Sequence, residues 1–235
     1  GSVELDRGAC ASAIRCIDCH NPHQRGPAAG SPDRPEHIQQ CVACHAHLAH
    51  PGAARDHARH DPEDASCLDC HMPRVVQGLN TENRSHRISS PSDPAILGSG
   101  MPNACNLCHL DKSLSWTRNH LAANWQATEP LPRGLDAVRD QPMGELWLKH
   151  PAPLARAVAA GAFARSSARR EALPALLAAF DDTNAYTRLR ILQSMERILG
   201  RQVTPTEYDL LGPPARRAQQ VGKLSARILG SDGDS

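Results

Sequence analysis

The feature that most limits how this chain can fold is a five-residue motif, C-x-x-C-H, which occurs four times in the first half of the 235-residue sequence. The four copies occupy residues 16–20, 41–45, 67–71 and 105–109. Each copy sets two thiols three residues apart and puts a histidine directly after the second thiol. Four independent occurrences of one spacing in so short a segment indicate one repeated chemistry.

The spacing is the attachment signature of c-type haem. The two thiols reach the two vinyl groups on one side of a porphyrin, and the adjacent histidine binds the iron as its proximal ligand. Paired cysteines also form zinc sites or disulfides, but a zinc ribbon does not require a histidine after every second cysteine. We therefore expect four covalent haem c groups. The expected attachment residues are Cys16, Cys19, Cys41, Cys44, Cys67, Cys70, Cys105 and Cys108, and the expected proximal ligands are His20, His45, His71 and His109.

The same half of the chain lacks the side chains from which a core is usually built. Residues 1–115 contain no Phe, Tyr or Trp, and the first aromatic residue is Trp116. Aromatic side chains supply much of the buried area of a protein core. A segment this rich in Pro, Gly and charge is not expected to fold on its own side chains. We expect the four porphyrins to serve as its core. Because the proximal histidines are only 25, 26 and 38 positions apart, the rings must lie against one another.

Nine further histidines can supply the sixth ligands of the irons, whereas methionine occurs only four times. The sequence therefore predicts mostly bis-histidine haems, which have lower potentials than Met/His haems. The preferred distal candidates are His23, His57, His60 and His86, with His37 as a weaker candidate. His57 and His60 are expected to lie one helical turn apart, shortly before the third motif. Cys10 is the odd ninth cysteine, and its role stays open between a buried thiol, an intermolecular disulfide and a metal ligand.

The second half has a different composition, rich in Ala, Leu and Arg. A helix over 111–126 with an apolar stripe of Trp116, Leu121 and Trp125 is expected to pack on the fourth haem. We predict three segments: a haem domain over 1–126, a Pro-rich linker over 127–142 and a helical domain over 143–235. Further helices are expected at about 143–149, 152–166, 169–180, 184–200 and 214–229. The fold class predicted is mostly α with much irregular loop. No apolar run is long enough to span a bilayer, and the chain is interpreted as an exported, processed form that is periplasmic or extracellular.

Several segments resemble a known group of proteins. They are 19–23 (CHNPH), 70–73 (CHMP), 85–88 (SHRI) and 102–109 (PNACNLCH), followed by Asp111, Lys112 and Trp116. In this order they resemble the tetrahaem c-type cytochromes related to hydroxylamine oxidoreductase, and residues 143–235 resemble HEAT-type repeats. The resemblance implies periplasmic or extracellular electron transfer, with His23, His57 or His60, and His86 at positions that look like distal ligands. The chain departs from the group in having no histidine before the first motif, which leaves one sixth ligand open.

Electron transfer through four closely packed haems is the function that these observations favour. One hypothesis within this function is a subunit of an extracellular haem filament. Residues 1–115 carry 13 acidic residues against 10 Lys and Arg, whereas residues 116–235 carry 12 acidic residues against 16 Lys and Arg. The two halves therefore have opposite net charge, which favours head-to-tail association of copies. The expected partners are redox proteins or further copies of the chain, and not nucleic acid. The alternative is a reductase of nitrogen or sulfur oxyanions with one open iron site. Against it, the haem half has no Tyr and only one Lys, Lys112, for proton delivery, although Arg and His are present. No catalytic residue is predicted.

Overall fold

The structure, a computed structural model, describes residues 10, 13–21, 23, 35–77, 82–128, 130–131 and 133–230. Within these ranges the chain is helical, with a single pair of two-residue strands and long stretches of turn and loop, which confirms the predicted fold class. No helix in the described ranges combines the length and the apolar character that a bilayer span needs.

The chain divides into two compact units. The first unit comprises Gly1–Cys105 and Ser115–Leu135, and the second comprises Asn106–Leu114 and Asp136–Ser235. This division does not test the predicted limits of the haem domain, the linker and the helical domain, which stay predictions.

The helices of the first half are short. They are α1 (Cys16–Cys19), α2 (Pro35–Cys44), α3 (Pro51–Ala58), α4 (Cys67–His71), α5 (Pro94–Leu97), α6 (Ala104–Cys108) and α7 (Leu114–Trp125), with a 3₁₀ turn at Ala46–Leu48. Strands β1 (Val76–Gln77) and β2 (Glu82–Asn83) pair antiparallel. The buried aliphatic side chains among the described residues of the first unit are Leu68, Leu97 and Leu121. So few buried side chains agree with a segment whose core the sequence assigns to another group.

The first unit ends with a 3₁₀ turn at Arg133–Leu135, and five α-helices of the second unit follow it among the described residues. These helices are α8 (Met143–Leu148), α9 (Pro153–Arg165), α10 (Leu173–Ala178), α11 (Ala185–Leu199) and α12 (Pro214–Gly230). Helix α9 packs on α8 and α11, and α10 contacts α12. Four of the five predicted helices match within one residue at each end, whereas that predicted over 169–180 is confined to Leu173–Ala178 and flanked by turns.

The core of the second unit is built from alanine-rich helix faces and a few large side chains. Trp147, Phe180 and Tyr208 are fully or almost fully buried, and the rings of Phe180 and Tyr208 stack with centroids 4.1 Å apart. Helix α11 begins at an Asn184 cap, whose side chain accepts a hydrogen bond from the backbone N–H of Thr187. It ends at Gly200, the predicted stop, which has a φ of 68° that favours glycine.

Two arginines, the buried Arg217 and the partly buried Arg156, secure the turn between α10 and α11. Arg156 makes a two-point ion pair with Asp182, at 2.5 and 2.9 Å. Arg217 donates from its Nε to Asp181 at 2.6 Å. Because both carboxylates are adjacent in the sequence, α9 and α12 are tied to the same turn. Paired and hydrogen-bonded in this way, the guanidinium groups can lie in the interior without leaving an uncompensated charge.

Candidate haem sites

The sequence around the first and third motifs explains why such short helices form there. Both read C-x-D-C-H, and the aspartate occupies the third helical position, where a carboxylate can accept the N–H of the capping residue. Asp18 accepts from the backbone of Arg15 at 2.7 Å, and Asp69 accepts from the backbone and hydroxyl of Ser66, both at 2.8 Å. The motif itself therefore supplies half of the cap that starts its helix.

The second and fourth motifs are held differently. The second occupies the last turn of the ten-residue helix α2, and the backbone N–H of His45 closes that turn on the carbonyl of Cys41. In the fourth, Asn106 is fully buried and its side-chain amide donates to the carbonyls of His109 and Lys112 at 3.2 and 3.0 Å. This residue, which lies between the two cysteines of the motif, fixes the turn that follows its histidine.

The side chain of Arg84, which is 11% exposed, hydrogen-bonds the third motif. The Nη1 of Arg84 donates to the carbonyls of Leu68 and Met72 at 2.7 and 3.0 Å, and its Nη2 donates to Asp69 at 2.7 Å. Burial raises the pKa of the Asp69 carboxyl, but the hydrogen bonds from Arg84 and Ser66 outweigh burial and hold that pKa below its ordinary value. The carboxylate thus stays charged beside the guanidinium, and the start and end of α4 are tied to one side chain.

The histidine of the third motif, His71, has a second histidine, His57, near it. The ring of His57 lies with its centroid 6.1 Å from that of His71, and the two ring planes are within 13° of parallel. The Nδ1 of His71 is 2.9 Å from the carbonyl oxygen of Ser89. A proton on Nδ1 completes that hydrogen bond and leaves Nε2 as the nitrogen available to a metal.

The histidine of the first motif, His20, has two other histidines, His37 and His86, near it. The ring centroid of His20 is 5.7 Å from that of His37 and 6.1 Å from that of His86. Burial, followed by the nearby His37 and His86, lowers the pKa of His20, and burial followed by His71 lowers the pKa of His57. A lower pKa keeps an imidazole neutral at pH 7, which is the form that binds metals.

The contacts of His60, His23 and His45 are local in sequence where the structure gives them. Helix α3 ends at Ala58, so His60 lies beyond its end with Nδ1 2.8 Å from the carbonyl of Ala58, and the expectation that His57 and His60 share one helical turn is wrong. In the described part of the chain, His23 makes only a local hydrogen bond from its backbone to the Asn21 side chain. The ring of His45 lies 6.3 Å from that of His47, two residues further on.

The thiols of three motifs lie close together in the first unit. The thiols of Cys41 and Cys67 share a hydrogen bond, which lowers the pKa of Cys67 to about 6 against the effect of burial and raises that of Cys41. Cys19 and Cys10 are close enough to raise the Cys41 pKa further. No disulfide joins any of the nine cysteines. No set of three or more His, Cys, Asp or Glu side chains within the described ranges is arranged to hold a metal ion.

This donor set fits haem. An imidazole nitrogen lies about 2 Å from a bound first-row metal ion and its ring centre about 1 Å further out, so two imidazoles on opposite sides of one iron have centres about 6 Å apart. The His57–His71 and His20–His86 separations, both 6.1 Å, and the His20–His37 separation of 5.7 Å all lie near this value. Paired thiols precede each proximal histidine by one and four residues, as attachment requires.

Comparison with known proteins points the same way. Residues 48–133 match the cytochrome c552 family model. The match covers well under half of the chain and contains the third and fourth motifs. It supports a c-type cytochrome with covalent haem c and a haem-based redox or electron-transfer role, in a family whose members are typically exported. Searches of curated proteins and of solved structures found no match.

Sequence reasoning missed the residues that surround the ligands. Arg84 and Ser89 contact the third motif from more than a dozen positions away, and nothing in their local sequence indicates it. Trp125 was expected in an apolar stripe, but its indole N–H donates to the carbonyl of His57 at 2.7 Å. The repeated aspartate of C-x-D-C-H was the one available signal, because a carboxylate at the third helical position is a capping pattern.

Proposed function

We propose that the chain carries four covalent haem c groups and passes electrons among them and to redox partners. The observation that carries this proposal is the pair of His57 and His71, whose rings stand at the separation that an iron between two imidazoles requires. His71 belongs to an attachment motif, while His57 comes from a separate helix. We assign His71 as the proximal ligand and His57 as the distal ligand of the third haem.

For the first haem we propose His20 as the proximal ligand and His86 as the distal ligand. The His20–His86 separation of 6.1 Å equals that of the His57–His71 pair, and the His20–His37 separation is 5.7 Å. His37 also belongs to the helix that carries the second motif, and its carbonyl accepts from the Cys41 thiol at 3.5 Å. His37 is therefore the second choice for this iron.

Close packing of the haems is supported by the positions of the attachment thiols. Cys41 belongs to the second motif and Cys67 to the third, and the two share a hydrogen bond. Haems attached at these two residues would have neighbouring edges. Cys19 of the first motif lies beside the same pair. Short gaps between rings favour rapid transfer of electrons from one to the next.

The chemistry that bound haem supplies is reversible one-electron reduction of its iron. The chain's part is to hold each iron between two neutral imidazoles and to keep those imidazoles fixed. The Ser89 carbonyl sets the proton of His71 on Nδ1, which makes Nε2 the ligand nitrogen. An iron with both axial positions filled by protein has no position left for a substrate, and this favours a carrier over the alternative reductase.

We further propose that residues 143–235 are a HEAT-like domain that docks partners or other copies of the chain. The acidic haem half, to which propionates would add charge, and the basic helical half favour head-to-tail association into a filament. Electron microscopy of the native material tests this. Filaments are the expected result, and discrete monomers at high concentration would contradict the assembly without affecting the electron-transfer role.

Electron paramagnetic resonance of the oxidised protein tests the central function. A carrier predicts low-spin ferric signals from all four haems, with His86 and His57 as the distal ligands of the first and third irons and other histidines on the second and fourth. A high-spin signal from one haem in four would reveal an open iron and would favour the oxyanion reductase instead. Carbon monoxide binding to the reduced protein provides the matching control, because it reports an open or weakly held axial position.

A further inference from the structure

The contact between Trp125 and His57 links two distant parts of the first unit. The carbonyl of His57 lies in the last turn of α3, where a helix leaves its carbonyl groups without internal partners. The indole Nε1–H of Trp125, the final residue of α7, donates to that oxygen at 2.7 Å across 68 positions of sequence. The contact therefore falls on the one residue of α3 whose ring faces a proximal histidine.

We propose that Trp125 is a positioning residue for His57 as the distal ligand of the third haem, an inference that rests on the proposed function. The helix ends one residue after His57, and Arg59 follows in the left-handed region at φ 55°. A final turn has fewer backbone hydrogen bonds than a helix interior and frays readily. Fixing the His57 carbonyl restrains the direction of its Cα–Cβ bond, from which the ring extends.

A hydrogen bond from elsewhere in the first unit then holds the histidine on each side of the third site. On the proximal side, the Ser89 carbonyl accepts from the ring of His71 at 2.9 Å. On the distal side, Trp125 donates to the backbone of His57. Outer partners of this kind orient metal ligands, and their loss weakens metal binding or ligation. Trp125 is 36% exposed, so its large ring is not a core residue whose replacement would unfold the unit.

The test uses the complete haem-loaded protein and the variants Trp125→Phe and His57→Ala. Phe keeps an aromatic ring but removes the N–H donor. The control is Asn124→Ala on the same helix, where the side-chain amide donates to the backbone carbonyl of His120 at 3.0 Å. The readouts are the high-spin signal of the oxidised protein and the carbon monoxide affinity of the reduced protein, and intact mass verifies that all four haems are attached.

We expect His57→Ala to convert one haem in four to a high-spin, carbon monoxide-binding form, and added imidazole to restore its low-spin signal. Trp125→Phe should raise the carbon monoxide affinity of one haem by about fivefold, the effect of one neutral hydrogen bond. Asn124→Ala should leave that affinity at the wild-type value. In the His57→Ala background, Trp125→Phe should add nothing, because the ligand it positions is gone.

With four haems attached, the inference is overturned if Trp125→Phe behaves like Asn124→Ala, or if its effect persists undiminished without His57. It is also overturned if His57→Ala keeps every haem low-spin. Absence of haem from the wild-type protein is a separate result, which would overturn the proposed function itself and is read directly from the mass.

Discussion

Replacing Arg84 by Met should destabilise the haem unit far more than the same change at Arg87, three positions along the same segment. Arg84 is 11% exposed and donates to two backbone carbonyls and to Asp69, whose carboxyl is 39% exposed. Arg87 makes one ion pair, to Asp93, and is 43% exposed. Met keeps much of the side-chain bulk in both variants, so the comparison isolates the lost donors.

The magnitude follows from these contacts. Each lost hydrogen bond from the guanidinium to a carbonyl is worth roughly 1 kcal/mol once water partly replaces the donor. The ion pair adds about 1 kcal/mol after allowance for the exposure of Asp69. The sum for Arg84→Met is about 3 kcal/mol, against about 0.5 kcal/mol for Arg87→Met. For a unit of this size, about 3 kcal/mol corresponds to a fall in Tm on the order of 10 °C.

Thermal unfolding of the oxidised holoprotein, followed in the haem visible bands, measures this difference in the unit that carries the haems. An Arg84→Lys variant is the further control, because Lys keeps the charge but cannot donate to three acceptors from a planar fork. It should recover less than half of the loss. Equal Tm values for Arg84→Met and Arg87→Met would refute the reasoning that Arg84 holds the third motif.

Two further predictions concern the second unit and are measured by far-ultraviolet circular dichroism. Gly144→Ala should lower the free energy of unfolding by about 1–3 kcal/mol, because the new Cβ would lie 2.6 Å from Phe163 Cζ. Gly222 in α12 has open space around it, so Gly222→Ala should leave the free energy of unfolding unchanged or raise it. Equal effects of the two substitutions would contradict the close approach at Gly144. Hydrogen bonds from Arg201 hold the pKa of Glu207 at about 2, below its ordinary value of 4.5. Its stabilising effect is therefore complete above pH 4.5 and lost as the pH falls toward 2, by about 1 kcal/mol because its partners Arg201 and Arg227 are exposed. Glu207→Gln should flatten this part of the stability–pH curve, and an unchanged slope would refute the assignment.

The helices of the second unit could be predicted from the sequence because their signals are local. Apolar residues recur at helical spacing from 184 to 200, Asn184 caps the segment and Gly200 ends it, and the structure has a helix over Ala185–Leu199. The segment 169–180 was predicted too long, because its apolar face is confined to the part after Leu173 and turns precede it.

The candidate haem sites could be predicted only in part. The attachment motifs are contiguous in sequence, so the proximal ligands follow from the pattern alone. The partner of each proximal histidine depends on how distant segments pack, and periodicity carries no information about it. His57 faces His71 from a separate helix, and the contacts of Arg84 and Trp125 span from 12 to 68 positions. The error at His60 arose because Arg59, in a left-handed conformation, ends the helix before the turn is complete.

The claim on which the account depends is that tethered porphyrins replace the missing aromatic core of the first half. Intact-mass spectrometry of the mature protein, under denaturing conditions with thiols reduced, measures this most directly. We predict the polypeptide mass plus four haem groups that survive denaturation. A mass equal to the bare polypeptide, or one that carries fewer than four haems, would contradict the account.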